Sequence, residues 1–218
     1  MQPILMTIIV LLAIVGPAAP RPTPAHQPAG DDGWTSLFDG RTLDGFVTRG
    51  GDASYTIERN TIVGETRPTT GNTFLCTERD YADFVLELEV LVDVELNSGV
   101  QVRSHVNDKG RVFGYQVEID PTPRAFSGGI YDEARRGWLA QPTAQQAVDS
   151  PFKPGEWNLY RVEARGNRVR TWINDVPVAD LIDEADESGF IGLQVHGVGG
   201  RTDPLRVQWR SLRIRELD

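Results

Sequence analysis

From Trp34 onward the chain is written in short alternating runs of apolar and polar residues, each closed by Gly, Pro, Asn or Asp. Successive side chains of a strand point to opposite faces, so such runs read as strands, and their spacing reads as an all-β sandwich. The clearest runs are Ala53–Glu58, Thr61–Glu65, Thr73–Thr77, Phe84–Asp93, Gly99–Ser104, Phe113–Asp120, Asn158–Arg165, Arg168–Ile173, Gly189–His196 and Leu205–Arg215. Arg59-Asn60 and Gly166-Asn167 sit between runs where a two-residue hairpin turn belongs. Only Ala179–Glu187 has the spacing of a short helix. Phe84, Leu86, Leu88 and Val90 share one face of their strand, as do Leu205, Val207 and Trp209 of the last one. Apolar rows of this kind, packed between two sheets about 10 Å apart, predict the core.

The N-terminus is written differently. The apolar run Ile4–Val15 is followed by small residues and then by a Pro- and Ala-rich stretch. The run is short for a membrane span, which needs ~20 residues, and has the form of a secretory signal. The expected division is a signal peptide over 1–19, a disordered tether over 20–32 and one β-sandwich domain over 33–218. An uncleaved anchor is the competing reading, since no Lys or Arg precedes the run. The protein is therefore expected to be exported, to the periplasm or the extracellular space, with no membrane contact beyond this segment. Cys76 is the single cysteine, so no intrachain disulfide can form. The formal charge of −9 argues against a nucleic-acid partner, which would favour a basic surface, and suits a neutral ligand such as a sugar.

Three strands carry unusual polar rows. Gln101 and Arg103 oppose Val100 and Val102; Gln116, Glu118 and Asp120 oppose Tyr115, Val117 and Ile119; Gln194 and His196 oppose Leu193 and Val195. A solvated strand face mixes Lys, Thr, Ser and Glu, whereas these rows hold flat groups that hydrogen-bond at several points, suited to sugar hydroxyls. If the strands are neighbours, the rows form one patch. Glu118 and Asp120, about 7 Å apart along one strand face, suit a glycosidase acid/base pair. They equally suit a divalent cation held by Glu118, Asp120 and His196. Spacing leaves both open. No phosphate loop, GxSxG elbow or metalloprotease histidine pair is present.

The segment Trp34-Thr35-Ser36-Leu37-Phe38-Asp39-Gly40-Arg41-Thr42-Leu43-Asp44-Gly45-Phe46 resembles the opening of the 3-keto-disaccharide hydrolase-like family. The later blocks around Asn97-Ser98-Gly99-Val100, Gly114–Asp120, Gly129-Ile130-Tyr131, Gly155–Asn158 and Ile191–Gly197 follow in that family's order. The resemblance implies a concanavalin A-like (jelly-roll) sandwich with a concave ligand face. It also implies cleavage of 3-keto-glycosides by 1,2-elimination, then hydration of the resulting 2-hydroxy-glycal. The chain departs from the pattern at Tyr115-Gln116-Val117-Glu118, where the family often has Tyr-Glu-x-Gln, and at Phe46, where Trp is common. In such a reaction His196 would be the base, and Arg103 or a cation on Glu118 and Asp120 would stabilise the enolate. Gln101, Gln116, Gln194 and Tyr131 would position hydroxyls, and Trp138 would stack on a sugar. The alternative from another class is a non-catalytic carbohydrate-binding module of the same fold.

Overall fold

The computed structural model describes residues 33–218, so the expected signal peptide and the expected tether lie outside the described residues. Two antiparallel sheets make a sandwich. The first holds β1 (Thr35–Ser36), β3 (Ser54–Glu58), β4 (Thr61–Glu65), β6 (Phe84–Val92), β11 (Asn158–Arg165), β12 (Arg168–Ile173), β13 (Val176–Ile182) and β15 (Arg206–Glu216). The second holds β2 (Phe46–Gly50), β5 (Thr73–Thr77), β7 (Ser98–Val106), β8 (Val112–Ile119), β9 (Ile130–Glu133), β10 (Gly137–Ala140) and β14 (Phe190–Val195). The orders are β13-β12-β11-β6-β15-β4-β3, with β1 on β15, and β10-β9-β8-β7-β14-β5-β2. Among the described residues no helix is long and apolar enough to cross a membrane.

The predicted inner rows are the core. Phe84, Leu86, Leu88 and Val90 are fully buried against Val100, Val102, Val117 and Leu193 of the other sheet. Tyr55 joins the sheets, because its hydroxyl lies 2.8 Å from the Leu193 carbonyl and 2.9 Å from that of Thr73 and shares its one proton between them. In β15 the alternation changes phase: Ser211 takes φ 56° at a register shift, so Leu212 and Ile214 turn inward where strict alternation would bury Arg213. The turns Arg59-Asn60 and Asn174-Asp175 both have positive φ, as a tight right-twisted hairpin requires.

The helix expected over Ala179–Glu187 is not formed. Most of β13 lies there, because the Asn174-Asp175 turn returns the chain along β12 and lays Val178, Ala179 and Leu181 on the core. Tertiary packing overrides a weak local period. The helix that forms is α1 (Ala144–Val148), started by a capping box between Thr143 and Gln146.

Candidate active site

The three strands with polar rows are neighbours, in the order β8-β7-β14. Register aligns their outward residues across the sheet. One row runs Trp138, Tyr131, Gln116, Gln101, Gly192, Cys76. The next runs Glu118, Gly99, Gln194, Phe74. The row is polar toward β8 and apolar toward β5, where Phe74, Cys76, Val112 and Phe190 form a second, smaller hydrophobic cluster. Val106 and Val112, at the tip of the β7–β8 hairpin, pack on this cluster, so the hairpin curls back over the outer face. Under it the outward residues lose their water. Cys76 is fully buried and its thiol is pushed up to about 12 by that burial, which suits a small apolar residue and not a nucleophile.

A cavity of about 670 Å³ opens on this face, lined by Asn72, Asn97, Gln116, Glu118, Asp120, Thr122, Arg124, Tyr131, Glu133, Trp138 and His196. Six of the nine expected site residues are in it. Gln101 and Gln194 lie beneath it with no exposure. Ser104 Oγ donates to Gln101 Oε1 at 2.6 Å, and Gln101 Nε2 and Gln194 Nε2 both donate to Gln116 Oε1 at 2.8 Å. Gln116 Nε2 in turn donates to Glu118 Oε2 at 3.1 Å. The glutamines form a floor that aims donors at Glu118; the expectation that Gln101 and Gln194 touch hydroxyls is corrected by their burial. Gly99 makes the floor possible: a Cβ there would stand 2.4 Å from Cδ of Gln116.

Arg103 does not join the patch. It takes φ 46° at the β7 bulge, which turns its side chain away from the Gln101 face. The guanidinium donates to the carbonyls of Ala82 and Gly166, each at 2.7 Å, and to Asp83 at 2.8 Å, all at strand ends of the opposite sheet, before β6 and in the β11–β12 turn. Burial lowers its pKa, opposed by the Asp83 charge. Ser104 takes the vacated outward position.

Arg124, from the loop after β8, supplies the cation at the site. Its Nη2 donates to Glu118 Oε1 at 3.0 Å and its Nε to Asp120 Oδ2 at 2.7 Å. It lies over Phe126 and Trp138, at 4.9 and 5.7 Å from the ring centres. Trp138 meets Tyr131 and Phe126 edge-on, which holds its ring at the cavity wall. The three carboxyls are tuned apart. Burial pushes Glu118 up, outweighing the bonds from Asn97 and Gln116. Burial also pushes Glu133 up, against a bond from Asn72 and the charges of Arg111 and His196. Asp120 is buried too, yet donors from Thr122 and Arg124 overcome that and hold it below the usual carboxylate range.

His196 bonds through Nδ1 to the Gly197 carbonyl at 2.8 Å. A carbonyl only accepts, so Nδ1 carries the proton and the neutral ring keeps its lone pair on Nε2. The three ligands expected for a cation do not fit one. Arg124 already pairs with both Glu118 and Asp120, and among the described residues no three His, Cys, Asp or Glu side chains are grouped as a metal ion would need.

Asn72, Asn97, Arg124 and Glu133 are cavity residues that the sequence reading missed. Asn97 and Glu133 were within reach of counting by twos from Gly99 and Tyr131. Asn72 was hidden because Phe74 and Cys76 make the outer face of β5 as apolar as its inner one.

A family model described as a 3-keto-alpha-glucoside-1,2-lyase-like domain matches residues 33–215. Among curated protein sequences, none matches. The chain is similar to solved structures at low identity. A candidate glycosyl hydrolase from Parabacteroides distasonis ATCC 8503 superposes with a TM-score of 0.63 at 19% identity, covering 86% of this chain and 95% of that one. A carbohydrate-binding module from Bacillus subtilis gives 0.57 at 16%, covering 79% and 96%. A Bacillus subtilis protein with a galectin-like fold gives 0.63 at 9%, covering 80% and 90%. At these identities the likeness is one of fold.

Proposed function

The chain belongs to the 3-keto-alpha-glucoside-1,2-lyase-like family, and from that premise we propose that it cleaves 3-keto-glycosides by 1,2-elimination and hydrates the glycal. A ketone at carbon 3 acidifies the hydrogen on carbon 2, because the anion left behind spreads onto the ketone oxygen. His196 Nε2 takes that proton. The electron pair closes the bond between carbons 1 and 2, the bond from carbon 1 to the glycosidic oxygen breaks, and that oxygen takes a proton. Glu133, held up by burial next to His196, is the donor. Arg124 stabilises the enolate oxygen in the role first expected of Arg103. Water then adds across the double bond: the Glu133 carboxylate left by the first step takes a proton from water as its hydroxyl joins carbon 1, and His196 returns its proton to carbon 2, so both groups end as they began. Trp138 and Tyr131 bind the sugar ring.

The observation that carries this reading is one cavity in which two carboxyls raised by burial, Glu118 and Glu133, stand beside the Asp120–Arg124 pair and a histidine with a free Nε2. It offers the acid and base groups that elimination and hydration each need. The test is incubation with an aryl 3-keto-glucoside, following glycal and phenol release. The wild type is expected to turn over, and His196→Gln to lose ~10²-fold in rate while still binding. Binding without turnover by the wild type would assign the site to a carbohydrate-binding module instead.

A further inference from the structure

A second cavity, of about 560 Å³, adjoins the first, and Asn72 and Glu133 line both. The two residues meet through a long contact, Asn72 Nδ2 to Glu133 Oε1 at 3.4 Å, which makes a waist and not a wall. Phe74 and Val112, both buried, give the second cavity an apolar side. Lys109 and Arg111, both exposed on the curled hairpin tip, give it a basic one. Neither cation has a direct ion-pair partner among the described residues, although the charge of Arg111 acts on Glu133, in a chain whose formal charge is −9 and whose other site cation, Arg124, is paired with Glu118 and Asp120.

We propose that this cavity is a leaving-group subsite, and that it takes a sugar or aryl unit carrying an acidic substituent, such as a uronic acid. The inference rests on the catalytic reading above and names the substrate class it implies. The two spaces are close in size, so the ligand has two units, and the bond joining them crosses the waist. That places the glycosidic oxygen beside Glu133, where the proton is needed. The apolar side packs one face of the second unit, and Lys109 and Arg111 meet its carboxylate.

The test is equilibrium binding to the His196→Gln protein, in which turnover is slowed ~10²-fold, measured before the ligand is consumed. The ligands are the 3-keto forms of a glucosyl-glucose and of the glucosyl-glucuronic acid with the same linkage. The acid is expected to bind about fivefold to tenfold tighter at low salt. That advantage should vanish in 0.5 M salt, on the order of which charge interactions are screened within a few ångströms, and in a His196→Gln/Lys109→Ala/Arg111→Ala variant. Equal binding of the two ligands overturns the subsite, as does a preference that survives loss of both cations. Turnover by the wild type is scored separately. An acid preference without turnover sinks the catalytic reading alone, and turnover without preference sinks the subsite alone.

Discussion

Glu133 is a cavity carboxyl whose burial costs stability. Its carboxyl is raised by burial, so the native state binds its proton more tightly than the unfolded chain does. For such a group stability falls as pH rises from its reference value of 4.5 through the raised one. Glu133→Gln removes the charge and can keep the Asn72 contact. It is expected to raise the melting temperature by ~2 °C at pH 7, with the gain fading as pH falls below the reference value. The same variant should lose turnover and the alkaline limb of its pH profile, since activity falls as pH rises through the pKa of the acid. Unchanged turnover would remove Glu133 from the mechanism.

The strand that decides the site is β7, through one glycine and one bulge. Gly99 leaves room for Gln116 to lie flat, and the bulge at Arg103 swings a long cation out of the site and a serine in. Gly99→Ala sets a methyl 2.4 Å from Gln116 Cδ. It is expected to cost ~1–3 kcal/mol by overpacking and to break the bonds that Gln116 receives from Gln101 and Gln194. Urea unfolding measures the first effect. Loss of activity in the folded variant, below its unfolding midpoint, measures the second. Full activity would show that the glutamine floor does not orient Glu118. The polar rows were legible in sequence because alternation is a local property. The bulge was not, because Arg103 is drawn across the sandwich by Ala82, Asp83 and Gly166, which are distant in the chain.

At the scale of the molecule, one end of the sandwich is closed by an ion network. Buried Asp132 binds Arg135 and Arg136 of the β9–β10 turn, and these reach Asp186 and Asp183 of the loop between β13 and β14. The Arg136 bonds hold Asp183 at about 2, against some burial. A depressed carboxylate contributes stability that is present above its unfolded pKa and lost as pH falls through the native one. The loss therefore runs from the reference value of 3.8 down to about 2, while Glu118 and Glu133 lose stability in the opposite direction, above 4.5. Counting these groups, stability should peak at about pH 4. Melting scans from about pH 2 to 8 should show that peak, and Arg136→Met should flatten its acid limb. A limb as steep in Arg136→Met as in the wild type would assign acid unfolding to other carboxylates.

The all-β class, most of the central strands, the inner rows and the patch on β8, β7 and β14 were determined by the sequence alone, since a two-residue period needs only neighbours in the chain. The same holds for the ordered blocks that resemble the family. What tertiary structure decided is which polar residues line the cavity. Gln101 and Gln194 became a buried floor because both are hydrogen-bonded to Gln116, which lies across them from the neighbouring strand. Arg124 took the place expected of Arg103 because a loop reached the carboxylates and a bulge turned the strand residue away. A side chain's face is fixed by its own backbone; its burial, charge and partners are set by segments far along the chain that packing brings onto it.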